Sequence, residues 1–452
     1  MKRLLPLLLV FIAAMILAQS KPAATGWKAG AATVKITPEK MIWMGGYASR
    51  KKPAEGVEQD LFAKALVIED GQGGKFALIT LDLIGVPREV RLHVAEQVEK
   101  QFGIPPARLA INASHTHSGP ELRPERTRST DLPDQRKAEV IEYVDQLQTS
   151  LVALVGEALK KAAPATLDFS QARCGFAMNR RTPNADGSYS NFPNPEGPVD
   201  HAVPVLQVAD AQGKDLCYVF GYACHCTTQS HQKFNADYAG YAQAELEKAH
   251  PGTVAMFMNG CSGDQNPYPR RNEGLAKTHG ITLATAVEAA LGTRMKPLTG
   301  EIQAAYEEIP LAYDTLPTRD ELLEKQKSKV KLDADHATRT LQLLDQQGAL
   351  PQTYPYPVQV IRLGPELTWV MLAGEVVVDY SLRLKREFTD PWVWVSAYTN
   401  DVPSYIPSLR VWKEGGYEGG DAMKWGAHPT RWSPKVEEQI IGTAKKLRAS
   451  ME

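Results

Sequence analysis

Two histidines separated by one residue, His115 and His117, follow a short apolar run in the stretch INASHTHSGP. On extended chain, residues two apart face the same way, so both imidazoles can be aimed at one cation. Neutral imidazole suits Zn2+, and a catalytic zinc keeps one position open for water. Zinc lowers the pKa of that water to about 7 in favourable cases, which lets it attack an amide or ester carbonyl. A lone His-x-His pair is also an ordinary polar loop, so its meaning depends on what arrives beside it. Four further clusters carry such chemistry: His225 between Cys224 and Cys226, the run NGCSGDQNP from Asn259 to Pro267, Ala373-Gly374-Glu375, and the stretch holding Asn400, Asp401 and Tyr405. A phenol next to a cation can join the ligands as phenolate.

Each of these clusters sits at the end of an apolar run that reads as a strand. The runs are 108–113, 215–223, 253–258, 368–372 and 392–398. Other extended segments are expected at 31–38, 62–69, 75–83, 203–208 and 359–363, with 203–208 and 215–223 forming a hairpin. Helical spacing is expected over 87–102, 136–162, 239–249, 275–291 and 376–388. Thr318-Arg319-Asp320-Glu321 is a capping box, predicted to open one charged helix running to about 347. Residues 181–198, rich in Asn, Pro, Gly and Ser, read as a long loop. This alternation predicts an α/β fold: a mixed central β-sheet flanked by helices, with the active site at the C-terminal ends of its strands. Convergence there would assemble three histidines, a glutamate and a tyrosine, although the pattern alone does not choose among neighbouring residues.

Composition bounds the partners. The 452 residues carry 51 Lys and Arg against 52 Asp and Glu, a net charge of −1, which gives no electrostatic case for nucleic acid or an anionic membrane. Residues 1–20 read as a signal peptide, with Lys2 and Arg3 before an apolar run from Leu4 to Ala18. That run is shorter than the roughly 20 residues of a membrane span, and no later stretch is long and apolar enough to be one. A secreted or periplasmic location is therefore expected. The five cysteines are an odd number, and no second pair completes a zinc site with Cys224 and Cys226, so packing is expected of them.

Two known His-x-His signatures fail here. Ser118-Gly119-Pro120 follows His117, so the Asp-His pair of metallo-β-lactamase-type sites is missing, and no eightfold repeat supports an amidohydrolase barrel. The chain instead resembles the catalytic domain of neutral, non-lysosomal ceramidases over roughly residues 27–420, within a catalytic domain expected over 27–450. The matching stretches are Gly45-Gly46-Tyr47, SHTHSGP at 114–120, MNRR at 178–181, ACHCTT at 223–228, ADYAGY at 236–241, NGCSGDQNP at 259–267, Ala373-Gly374-Glu375, and Asn400 through Tyr405 to Tyr417-Glu418. The resemblance implies a zinc held by His115, His117, His225, Glu375 and Tyr405. It implies oxyanion stabilisation by Tyr417, with Asp264, Asn266 and Arg180 at the catalytic site, and an N-acyl, sphingolipid-like substrate. Two departures stand out. Asn266 occupies the position of the family's serine, and asparagine cannot act as a nucleophile, so a water-based mechanism is expected. The family's C-terminal immunoglobulin-like domain is not expected in a chain ending at 452.

Several residues carry two readings. Arg180 could bind substrate or pair with a local carboxylate, and Asp82 or Asp237 could orient a ligand histidine or cap a strand. His231, six residues after His225, could be mistaken for a ligand. The Asn112-Ala113-Ser114 sequon enters the site. The glycines around Tyr417 suggest a mobile loop closing over substrate. The competing functions are a metal-dependent esterase, an amidase for a small non-lipid substrate, or a non-catalytic binding protein on the same fold.

Overall fold

The computed structural model describes residues 26–123, 134–426 and 428–452. The expected signal peptide lies outside the described residues. Among the described residues no helix is long and apolar enough to cross a membrane.

The strands in chain order are β1 (Trp27–Lys35), β2 (Phe62–Glu69), β3 (Lys75–Leu81), β4 (Leu109–Ala113), β5 (Ala163–Arg173), β6 (Ala177–Pro183), β7 (Tyr189–Asn194), β8 (Ala202–Asp210), β9 (Asp215–Tyr222), β10 (Val254–Asn259), β11 (Gln265–Pro267) and β12 (Lys296–Pro297). They continue with β13 (Ile302–Ala312), β14 (Thr353–Leu363), β15 (Leu367–Leu372), β16 (Glu375–Val376), β17 (Trp392–Ser396) and β18 (Tyr405–Ile406). The large sheet runs β10-β9-β8-β5-β1-β2-β3-β4, with β12 added to β5, and a second sheet runs β13-β14-β15-β17. Both are mixed: β9–β10, β3–β4 and β15–β17 are parallel and the remaining pairs antiparallel.

The sheets pack face to face. Trp27, Phe76, Phe169 and Met258 of the first meet Ile361, Trp369 and Trp394 of the second, and Trp369 stacks on Trp394 with centroids 4.0 Å apart. Helices cover the outer faces. Arg88–Phe102 and Asp134–Lys160 lie over one half of the large sheet, Asp237–Ala249 and Glu273–Leu291 over the other. Asp379–Glu387 and Val436–Ala449 cover the second sheet. Strands buried on both sides need apolar residues at most positions, which is why β4 and β15 are apolar apart from Asn112 and Thr368.

The expected α/β architecture and mixed sheet flanked by helices are present, with three differences. The stretch read as a loop over 181–198 contains part of a hairpin, β6–β7, extended by β11. The helix predicted from Thr318 to about 347 is two helices, Arg319–Lys325 and Lys331–Gln347. The break lets Leu322 fold back onto Ala337 and Leu341, a contact one straight helix would forbid. The segment 376–388 is helical only over Asp379–Glu387, because Glu375 and Val376 are drawn into β16.

Candidate metal centre

The two ends of the large sheet curl toward each other. Asn259, closing β10, donates its backbone N–H to Asn112 Oδ1 on β4 (3.0 Å) and its side-chain amide to Ser114 O (3.0 Å). Asn112 is fully buried and also donates to Ala397 O (2.6 Å), so its sequon is consumed by the core. This closure brings the turn after β4 beside the turns after β9 and β10. The rest comes from a separate small sheet, β16 and β18, a parallel two-residue pair that sets Glu375 opposite Tyr405.

The first and last of the three histidines are held alike. His115 Nδ1 lies 2.6 Å from Ile84 O, and His225 Nδ1 lies 2.6 Å from Ser262 O. A carbonyl only accepts, so each Nδ1 carries the proton and each Nε2 presents a lone pair to the cluster. His115 adopts a left-handed φ of 64°, and Tyr398, also left-handed at 53°, packs on its ring at 4.6 Å. His117 is held differently. Its Nδ1 is buried with no hydrogen-bond partner. The Tyr47 ring packs against its imidazole at 4.9 Å, and Arg50 Nη1 donates to its carbonyl at 2.7 Å. Gly46 lies so close that a Cβ there would stand 2.8 Å from His117 Cα, Cβ and Cγ.

The donor atoms converge. His115 Nε2 is 3.1 Å from His117 Nε2 and 3.1 Å from Glu375 Oε2, while His225 Nε2 is 3.2 Å from the same oxygen and 3.2 Å from Tyr405 Oη. Glu375 Oε2 is buried and makes no aligned hydrogen bond despite these approaches. Burial holds His117 well below the usual imidazole range, reinforced by the neighbouring histidines. Burial and Arg180 hold His225 down to about 3. Burial would push Glu375 up, but His115 and His225 outweigh it and keep the carboxyl well below its usual value. His117 and His225 are therefore neutral imidazoles beside a carboxylate.

That set fits a zinc ion. At Zn–N distances near 2.0–2.1 Å, adjacent ligands of a tetrahedral zinc lie about 3.3–3.4 Å apart, close to the separations found here. The candidate ligand atoms of the three histidines all lie within 4.8 Å of one another. The stranded Glu375 oxygen is the kind of atom a cation satisfies.

The remaining predicted residues divide. Arg180 is buried and pairs with a local carboxylate: Nε donates to Glu418 (2.8 Å), while Nη2 donates to Tyr405 Oη (3.0 Å) and Nη1 to Asn266 Oδ1 (3.3 Å). Asn266 lies fully buried beneath the cluster, donating to Asn191 Oδ1 (3.1 Å). Asp264 faces elsewhere: its carboxylate accepts from Asn179 Nδ2 (2.9 Å) and the Val378 N–H (2.8 Å), and its carbonyl accepts the Arg180 N–H (2.8 Å). Tyr417 packs edge-on against Tyr405 at 5.2 Å and is 42% exposed. The segment around it is helical (Gly416–Gly419) and latched by Arg181, which donates to Glu418 (2.6 Å), Glu414 (3.1 Å) and Gly415 O (2.9 Å).

Among the described residues neither Asp82 nor Asp237 hydrogen-bonds a ligand histidine, and His231 does not join the cluster. Asp82 accepts from the Phe62 N–H and Gln243, Asp237 from the Gln229 and Tyr238 N–H groups, and His231 pairs with Glu58. All five cysteines are buried and free, Cys224 and Cys226 pointing into the apolar layer beneath the helices. Sequence reasoning gave no role to Tyr47, Arg50, Tyr398 or Glu418. Only the Gly45-Gly46-Tyr47 and Tyr417-Glu418 matches hinted at two of them, Tyr47 and Glu418.

Comparison with known proteins is consistent with this geometry. Residues 27–273 match the family model described as neutral/alkaline non-lysosomal ceramidase, N-terminal. Neutral ceramidase B of Dictyostelium discoideum is 27% identical over 245 residues, covering 50% of this chain and 33% of that protein. The neutral ceramidase of Pseudomonas aeruginosa is 23% identical over 344 residues, covering 70% of this chain and 50% of that one. The chain thus spans between a third and half of these relatives' length. The crystal structure of the Pseudomonas aeruginosa neutral ceramidase superposes with a TM-score of 0.72 at 18% identity, over 94% of this chain and 74% of that one.

Proposed function

Because this chain belongs to the neutral/alkaline non-lysosomal ceramidase family, we propose that it is a secreted or periplasmic, zinc-dependent hydrolase that cleaves the amide bond of an N-acyl, ceramide-like lipid. The observation that carries this reading is the convergence of His115 Nε2, His117 Nε2, Glu375 Oε2, His225 Nε2 and Tyr405 Oη, linked by separations of 3.1–3.2 Å. These five residues would hold the metal. When bound, zinc supplies Lewis acidity and a water acidic enough to act as nucleophile at neutral pH.

The rest of the work falls to the protein. Ile84 and Ser262 carbonyls fix the tautomers, so the lone pairs need no rearrangement when the metal arrives. Tyr417 donates its phenol proton to the developing oxyanion; loss of one such donor costs about 100- to 1,000-fold in turnover. Arg180, held by Glu418, brings a fixed positive charge against Tyr405 and favours charge development beside it. Asn266 offers no nucleophile, and its buried amide ties Arg180 and Thr227 to Asn191. Asp264 acts through others, holding the Arg180 backbone and the N–H of Val378.

The test is hydrolysis of ceramide, simple N-acyl amides and matched esters by the zinc-loaded protein, with Tyr417→Phe and His117→Ala beside it. Amide cleavage that falls about 100-fold in Tyr417→Phe and disappears in His117→Ala is expected. An ester-only profile would favour the esterase reading. Turnover by His117→Ala equal to wild type would overturn the metal mechanism.

A further inference from the structure

We infer that the substrate of this site carries an anionic group, a carboxylate or a phosphate, and that Arg270 receives it. This rests on the amidase reading and narrows its substrate class. Arg270 follows β11 and lies half-buried at the outer end of a polar chain that starts at the metal ligands. Arg180 Nη1 lies 3.2 Å from His225 Nε2 and donates to Asn266 Oδ1 at 3.3 Å. Thr227 Oγ1 donates to the same oxygen at 3.3 Å, and Asn266 Nδ2 donates to Asn191 Oδ1 at 3.1 Å. Arg270 closes the chain, donating through Nη1 to Thr227 Oγ1 at 3.4 Å and through Nη2 to Asn191 Oδ1 at 3.3 Å.

Both acceptors of Arg270 are neutral and both contacts are long, so they hold the guanidinium weakly and yield readily to a better partner. Among the described residues no carboxylate pairs with it. Burial lowers its pKa; Tyr268, whose ring lies 5.4 Å away, opposes that shift, and the like charges of Arg271 and Arg180 add to it. Arg180 has Glu418 as its counter-ion. Arg271 is exposed beside Arg270. A partly buried guanidinium without a counter-ion is costly, and a bidentate anion removes that cost. The chain as a whole is near neutral at −1, so this excess of positive charge is local to the site. A neutral sphingoid base offers only hydroxyls to that edge. An N-acyl amino acid or a phosphorylated N-acyl amine offers the missing charge.

The experiment uses zinc-loaded wild type, Arg270→Gln and Arg270→Lys, with three dodecyl sulfonamides that cannot be hydrolysed. One carries a carboxylate on the amine side, one carries it on the acyl-equivalent side, and one is neutral. In wild type at low salt, at least one anionic ligand is expected to bind 10- to 100-fold more tightly than the neutral one by calorimetry. That preference should collapse toward unity in Arg270→Gln, return in part in Arg270→Lys, and shrink as salt rises. The ligand that loses affinity in Arg270→Gln identifies the side that bears the charge. Equal binding of all three ligands by wild type, or an intact preference in Arg270→Gln, overturns the inference. Turnover of the corresponding carboxamides is scored separately. Preference without turnover would overturn the amidase reading and leave the anion site standing.

Discussion

Gly46→Ala should weaken metal binding more than it weakens the fold. Gly46 has φ +98°, and a Cβ there would stand 2.8 Å from His117 Cα, Cβ and Cγ. Left-handed backbone costs a non-glycine residue about 1–2 kcal/mol. Overpacking against a fixed neighbour adds about 1–3 kcal/mol. The total lies within the roughly 5–15 kcal/mol of a typical domain, so the variant should fold. The clash is relieved most easily by moving His117, because no hydrogen bond anchors its Nδ1. A shift of a few tenths of an ångström breaks the match of its Nε2 to the other donors, and disturbing such a support typically costs 10- to 100-fold in metal affinity. The assay is zinc competition against a chromogenic chelator, run beside urea unfolding of the metal-free protein. Gly187→Ala is the control: its φ is +82°, but a Cβ would meet nothing within 4 Å. That control should lose stability only, by about 1–2 kcal/mol. If Gly46→Ala binds zinc as tightly as Gly187→Ala, the steric account of His117 is wrong.

Glu418→Gln removes the charge that pairs with both Arg180 and Arg181, all three buried, and should cost about 3–5 kcal/mol in urea unfolding. Turnover should fall with it, because the arm facing Tyr405 loses its anchor. Ellman's reagent should find no reactive thiol in the native protein and five after denaturation, since every cysteine is buried and burial pushes Cys224 and Cys226 well up. Burial also raises Asp264 and Asp401 to about 6 from an ordinary 3.8. A raised carboxyl binds its proton more tightly folded than unfolded. Its contribution is therefore full below about pH 4 and is lost as pH rises through 6, on the order of 3 kcal/mol per group. Asp264→Asn and Asp401→Asn should each flatten the stability–pH curve between pH 4 and 6, read by thermal unfolding.

The histidines were legible because β4, β9 and β10 are buried on both faces and spell themselves as apolar runs that stop where the chemistry begins. Glu375 and Tyr405 were less so. They meet through a pair of two-residue strands, too short to leave a periodic signal, and only the family resemblance singled them out. The closure through Asn112 and Asn259 joins residues far apart in sequence, and nothing local marks either asparagine as structural. β13 escaped notice because it is the half-exposed edge of the second sheet and carries Pro310, which an edge tolerates. Missing β13 hid the edge of the second sheet, and missing β5 hid the strand that joins the two halves of the large one. The hairpin β6–β7 was hidden by turn-forming residues, yet it delivers Asn191 to the site. Arg270 drew no reading from the sequence, because Thr227 and Asn191 reach it only through the fold.

The most direct test of the central claim is anomalous diffraction at the zinc edge from crystals of protein purified without chelator. One peak is expected, about 2.0–2.1 Å from Nε2 of His115, His117 and His225, and it should be absent from crystals of His117→Ala. A peak elsewhere, or none in crystals grown with excess zinc, would contradict the account.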